Sequence, residues 1–184
     1  MTSIARSLSC AALLLLAFHP GALKAQNAAP IAPDATGFAA KFTFHLVKLD
    51  HGILVPYKTA NLNNVKFFAF YYSASWCPPC KIFTPKLVKF YNQFKPKHPD
   101  FELIFVDQDN SPVDMLAYMK ADSMTWPAAR SEDIDNSNAN SFGGEALPDL
   151  VLLDAGGKKL SATFNGSDYL GPEKVVDDIQ RLVH

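Results

Sequence analysis

Cysteine, long charge runs and long apolar runs are all scarce in this sequence of 184 residues. The formal net charge is −1, from 17 basic and 18 acidic side chains with no long block of either sign. That distribution argues against a general nucleic-acid surface or a polybasic membrane patch, so no nucleic-acid partner is expected. One apolar stretch stands out, Leu8 to Phe18 (LSCAALLLLAF), and it is too short to span a bilayer comfortably. Arg6 precedes it, His19-Pro20-Gly21 breaks it, and small residues lead to Ala25. Residues 1–25 therefore read as a secretory signal peptide cleaved after Ala25, with an uncleaved anchor as the alternative. Cys10 lies inside the apolar core rather than just behind it, which excludes a lipoprotein cysteine.

Removing this segment takes Arg6 and Lys24 and no acid, leaving 15 basic against 18 acidic side chains and a charge of −3. Of three cysteines only Cys77 and Cys80 remain. A lone Cys-x-x-Cys pair is not a disulfide scaffold, and so small a loop constrains the unfolded chain little. The pair points to chemistry, in an exported and periplasmic protein.

Residues 26–40 (QNAAPIAPDATGFAA) lack periodicity and read as a linker, with the domain at 41–184. Phe42 to Leu49 alternates as a strand does, and Asp50-His51-Gly52 makes a turn. Val65 to Tyr72 (VKFFAFYY) is nearly continuous in apolar and aromatic residues, which predicts a central strand buried on both faces. Ile82, Leu87, Val88, Phe90, Tyr91 and Phe94 form a helical stripe from about Cys77 to Phe94. Phe101 to Val106 is the next strand, and Ser111-Pro112 opens a second helix with Ser as N-cap. Residues 131–145, polar and rich in Asn and Ser, predict a surface excursion. Leu150–Leu153 and Lys159–Phe164 flank Ala155-Gly156-Gly157 as a hairpin, and Gly171-Pro172 starts the last helix. The order β-β-α-β-α-β-β-α predicts an α/β fold with a central mixed β-sheet flanked by helices on both faces.

The attacking species in disulfide exchange is a thiolate. A cysteine just after a buried strand and at a helix N-terminus has its anion favoured by the dipole and free N–H groups. Cys77 is thus expected to be the exposed nucleophile and Cys80, one turn on, the more buried resolving thiol. Pro78 and Pro79 suit the first turn but remove two donors, leaving the Cys80 N–H as the local donor and a moderately lowered thiol pKa. Zinc would need two further ligands, and the remaining histidines, His45, His51, His98 and His184, are scattered. Covalent haem would need His at position 81, where Lys81 stands.

The run from Tyr71 to Leu87 (YYSASWCPPCKIFTPKL), continuing to Phe90-Tyr91, closely resembles the tryparedoxins and nucleoredoxins of the thioredoxin superfamily. The likeness covers about residues 42–183 and is most specific at 71–91. It implies a thioredoxin-like fold and a thiol–disulfide oxidoreductase, with Cys77 and Cys80 catalytic and Trp76, Pro78, Pro79 and Pro148 supporting. Pro85 matches the family's helix-kinking proline, which cannot donate to the Lys81 carbonyl. Trp126-Pro127 is similar to the family's tryptophan loop near the dithiol, and Trp76 to a partly exposed lid. Leu147-Pro148 matches the cis-proline that abuts the dithiol, although Asp149 follows where Thr is usual. Tyr71 replaces the buried Asp of thioredoxin itself, so water, Lys81 or Glu145 must serve the Cys80 proton. The expected activity is reduction of protein disulfides without cofactor or metal. Expected partners are protein or small-molecule disulfides and a membrane thiol-relay protein as electron donor, with the chain a monomer. A reductase of cytochrome c maturation and a non-catalytic peptide-binding module are the alternatives.

Overall fold

The computed structural model describes residues 37–41, 46–130, 132, 134 and 139–184. The segment expected to be a signal peptide (residues 1–25, with Cys10), most of the 26–40 stretch, His45 and the start of the strand expected at 42–49 lie outside the described residues. Among the described residues no helix is long and apolar enough to cross a membrane.

Strands β1 (Leu46–Asp50) and β2 (Ile53–Pro56) form a hairpin. The turn residues His51 (φ 47°) and Gly52 (φ 82°) both take the positive φ that a tight two-residue turn demands. The sequence suggests this turn but not β2, a four-residue edge strand that ends in proline. Strand β3 (Phe67–Ser73) leads into helix α1 (Pro78–Phe94), which crosses over to β4 (Phe101–Asp107), parallel to β3. Helix α2 (Pro112–Ala121) then carries the chain to β5 (Ala128–Ala129), two residues parallel to β4 and antiparallel to β1. Its N-cap is Ser111, whose Oγ accepts from Asp114 N at 3.2 Å. Strand β6 (Asp149–Asp154) runs antiparallel to β3, β7 (Lys159–Ala162) antiparallel to β6, and α3 (Pro172–Leu182) closes the chain. The seven strands lie in the order β2-β1-β5-β4-β3-β6-β7.

Alternation along the central strands divides the interior into two cores. Ala69, Tyr71, Leu103, Phe105, Leu150 and Leu152 face a core that takes the apolar sides of all three α-helices. Phe68, Phe70, Tyr72, Ile104, Val106, Val151 and Leu153 face the other. The second core's helical cover is short: 3-10 turns at Ala39–Lys41, Thr59–Leu62 and Ala139–Ser141 contribute Ala39, Leu62 and Ala139.

Four expectations change here. The α-helices expected on both faces of the mixed sheet all pack on one among the described residues, because the β3-to-β4 and β4-to-β5 crossovers step in the same direction, and only 3-10 turns cover the other. The packed structure begins before residue 41, because Phe38 sits edge-on to Phe68 (5.4 Å) and Phe142 (5.6 Å) and packs so tightly on Gly157 that a Cβ there would collide with its ring. The 131–145 stretch is not simply a surface excursion, since Ile134, Ala139 and Phe142 join the second core. Its anchors are too irregularly spaced to show a period. The strand expected over 159–164 breaks at Thr163, and Phe164–Asn165 (β8) pairs instead with Asp168–Tyr169 (β9) around Gly166.

Candidate active site

The dithiol sits where β3 ends and α1 begins. Gln108 N donates to Ser73 O (2.9 Å), while Ser75 N and Ser75 Oγ both donate to Asp109 Oδ1 (2.9 and 2.8 Å). These bonds tie the loop carrying Trp76 to the loop after β4. Cys77 is the N-cap of α1, with extended backbone (φ −87°, ψ 109°), and Pro78 and Pro79 occupy the first turn. Its Sγ accepts from Cys80 N at 3.2 Å, the donor that remains once two prolines have removed theirs. The two cysteines form a disulfide with Cα atoms 5.3 Å apart. Both are more enclosed than the motif suggests: Cys77 is 3% exposed and Cys80 fully buried against Ala74 and Leu147. Cys77 alone of the pair borders a groove of about 440 Å³, between Trp76, Pro78 and Pro79 on one wall and Gly144 to Leu147 on the other. Trp76 is 59% exposed on that wall.

Below Cys80 lies a buried set of hydroxyls. Thr84 Oγ1 donates to Cys80 O (2.8 Å), so both neighbouring phenols must donate to Thr84: Tyr71 at 2.7 Å and Tyr118 at 2.6 Å. Ser73 Oγ in turn donates to Tyr118 Oη at 2.8 Å. Burial pushes the Tyr71 and Tyr118 hydroxyls above their ordinary range, so they stay neutral at physiological pH. Where thioredoxin itself carries a carboxylate, this chain has a neutral, fully paired hydroxyl network.

The opposite wall is set by the start of β6. The Leu147–Pro148 peptide bond is cis, and Pro148 is buried beside Pro79, Ile82 and Phe83. Leu150 N donates to Thr163 Oγ1 (2.8 Å), and Thr163 N donates to Leu150 O (3.0 Å). Asp149 is 2% exposed; its Oδ2 accepts from Gly144 N at 2.8 Å, and its buried Oδ1 has no well-aligned donor among the described residues. Burial pushes its carboxyl above the usual range, against the Gly144 N–H, the Thr163 hydroxyl and the charge of Lys159.

Trp76, Cys77, Pro78, Pro79 and Leu147 are thus gathered around one opening, and Pro148 lies next to it with Pro79, Ile82 and Phe83. Trp126 is not there. It is fully buried in the helix-side core, edge-on to Tyr71 (6.4 Å) and Tyr91 (5.4 Å), while Pro127 O accepts from Phe105 N. The Thr125-Trp126-Pro127 order places this tryptophan at the entry to β5 rather than beside the dithiol. Of the groups considered for the Cys80 proton, Glu145 borders the groove, and Lys81 is exposed on α1. Sequence reading missed Thr84 and Tyr118. Thr84 was within reach, four residues after Cys80 on the same helical face; Tyr118 comes from another helix and gives no local signal.

A buried strand, a cysteine N-cap, a paired second cysteine and a facing cis-proline in a mixed sheet define a redox protein of the thioredoxin fold. The Thioredoxin-like family matches residues 64–159, and the chain belongs to it. It is 36% identical over 97 residues to probable nucleoredoxin 1 of Arabidopsis thaliana, covering 52% of this chain and 16% of that protein. To tryparedoxin of Trypanosoma brucei brucei it is 34% identical over 90 residues, 46% of this chain and 58% of that one. The chain therefore spans only part of these curated relatives. The structure of tryparedoxin I from Leishmania major superposes with a TM-score of 0.55 at 26% identity, over 74% of this chain and 84% of that chain.

Proposed function

We propose that this protein reduces protein disulfides by thiol–disulfide exchange at Cys77 and Cys80. The observation that carries the reading is the setting of Cys77: a helix N-cap whose sulfur already receives the Cys80 N–H, open to a groove walled by the cis-proline loop. In the reduced state that N–H and the dipole of α1 favour the thiolate. Cys77 S⁻ attacks one sulfur of the substrate disulfide, forming a mixed disulfide and expelling the other sulfur as a thiolate that takes up a proton. Cys80, deprotonated, attacks Cys77 Sγ, closes the 77–80 disulfide and releases the second substrate thiolate. Two electrons pass from the dithiol to the substrate. Trp76, Pro78 and Pro79 line the opening, Pro148 sets the course of the loop that faces it, and none of them reacts.

A macromolecular substrate is supported by the apolar rim. Trp76, Ile82, Tyr169 and Leu170 are large exposed hydrophobic residues near this end of the molecule, with Ile82 68% exposed. Small disulfides enter the same groove. The chain acts as a monomer, exported to the periplasm by residues 1–25, and a membrane thiol-relay protein returns two electrons to the oxidised pair.

Trapping tests this. Cys80→Ser cannot resolve the mixed disulfide, so its partners stay covalently attached in the native compartment and come off with a dithiol reductant. Adducts that depend on Cys77 support exchange with proteins. A Cys80→Ser protein that captures nothing under oxidising or reducing conditions would leave the peptide-binding alternative.

A further inference from the structure

Cys80 must reach the Cys77 sulfur once a substrate is attached there, and its reach is set by the backbone that carries it. Pro85 has no N–H for the Lys81 carbonyl, so one rung of the helix ladder just behind the dithiol is missing. Thr84 supplies a bond at that place: its Oγ1 donates to Cys80 O at 2.8 Å, one residue before the carbonyl that Pro85 leaves unserved. Thr84 is fully buried, and its hydroxyl oxygen takes the phenol hydrogens of Tyr71 and Tyr118 at 2.7 and 2.6 Å. Those phenols belong to β3 and α2, and their rings are wedged edge-on, Tyr71 against Phe83 (5.7 Å) and Tyr118 against Phe105 (5.9 Å). One hydroxyl therefore fixes the carbonyl of the resolving cysteine to the sheet and to a second helix. Cys77 has a different support: its N–H donates to Ala74 O at 3.2 Å, and Asp109 holds Ser75 in the loop before it. An apolar set of the same shape would fill the space around Thr84 with no partners to satisfy, so stability alone does not call for these hydroxyls.

We infer that Thr84 is a positioning residue for the resolving step: through Cys80 O it holds the Cys80 sulfur in line with the bond between Cys77 and the substrate, with Tyr71 and Tyr118 as its backing. The inference rests on the exchange reaction proposed above and concerns its second half alone. There Cys80 S⁻ attacks Cys77 Sγ, the 77–80 bond forms, the Cys77–substrate bond breaks, and the substrate sulfur leaves as a thiolate with the electron pair. Displacement at sulfur needs the three sulfurs aligned, and a misplacement of about 1 Å can cost about a hundredfold in rate. The first half uses the Cys77 sulfur and the Cys80 N–H, neither of which Thr84 touches through its hydroxyl.

Separating the two steps decides it. Pre-reduced full-length protein is mixed in a stopped-flow cell with an excess of dithionitrobenzoate, whose coloured thiolates are released one at a time. The first release follows attack by Cys77 and scales with reagent concentration; the second follows resolution by Cys80 and does not. Thr84→Val should slow the second release about tenfold and leave the first within about twofold of the parent. Thr84→Ser, which keeps the hydroxyl, should restore the second release. Tyr118→Phe removes one backing hydroxyl and should slow the second release about threefold, so it decides the matter if the valine protein does not fold. Glu102→Ala, destabilised at the far end of the sheet, should keep the parent's ratio of the two rates. The positioning role is overturned by equal slowing of both releases, by the same change of ratio in Glu102→Ala, or by a serine protein as slow as the valine protein. An unchanged second release in both Thr84→Val and Tyr118→Phe overturns it too. A reduced parent that releases no coloured thiolate would instead overturn the exchange reading itself.

Discussion

Two buried carboxylates sit at opposite ends of the central sheet and are treated differently. Glu102, near the start of β4, is 2% exposed and has no free oxygen. Tyr91 Oη (2.7 Å) and Leu103 N (3.0 Å) donate to Oε1; Tyr57 Oη (3.1 Å) and Lys95 Nζ (3.3 Å) reach Oε2. Asp149, equally buried at the dithiol end, accepts from Gly144 N on Oδ2, while among the described residues its Oδ1 has no well-aligned donor. A fully paired buried carboxylate stabilises the architecture, whereas a less fully paired one carries a desolvation cost that its partners do not offset. The contrast separates the end of the sheet that holds the fold together from the end that reacts.

The largest way to break the comparison is Glu102→Ala. It strands the Tyr57 and Tyr91 hydroxyls and Lys95, and should cost about 3 kcal/mol of stability in urea unfolding. A loss under about 1 kcal/mol would mean that this network is not structural. Thr84→Val comes next. It removes the shared acceptor of two buried phenols at the reactive end and should cost about 2 kcal/mol, read in the same way.

Asp149→Asn should do much less to stability, and with the opposite sign. The folded carboxyl binds its proton more tightly than the unfolded one, so the parent loses stability as pH rises from about 3.9 through the raised folded value. At pH 7 the asparagine protein should therefore match or slightly exceed the parent, and the two should converge on acidification. A clear loss at neutral pH would make Asp149 a structural acid like Glu102. The smallest effect belongs to Asp178 on α3, held by Lys174 (2.7 Å), Arg181 (2.6 Å) and Ser161 Oγ (2.7 Å). Those partners hold its carboxyl well below the usual range, so its stabilisation is present above about 3.9 and lost as pH falls further. Asp178→Asn should be slightly less stable than the parent at pH 7 and equal to it in strong acid.

Much of the reactive end was legible in the sequence because its signals are local. Cys77 at the strand–helix junction, Pro78 and Pro79 in the first turn and the Cys80 N–H as sole nearby donor all follow from adjacent residues. The buried runs that became β3, β4 and β6 also announce themselves, since continuous apolar stretches of that length have few other uses. What the sequence conceals is long-range. Phe38 packs on Phe68 and Gly157 from a stretch that reads as linker, and Ile134 and Phe142 reach the second core from an Asn- and Ser-rich segment. Trp126 shows the limit of resemblance, because a tryptophan beside a proline fits either a loop by the dithiol or a core anchor against Tyr71 and Tyr91. Both carboxylate environments were equally hidden, as each is assembled from distant segments.

The central claim is that Cys77, capped by the Cys80 N–H, is the sulfur that reacts. Its most direct test is the rate of insulin disulfide reduction, with a dithiol reductant as electron source, by parent and Cys77→Ser protein of equal far-UV spectrum. Reduction by the parent well above the reductant alone, and a return to that background in Cys77→Ser, is the expected result. Undiminished reduction by the Cys77→Ser protein would contradict it.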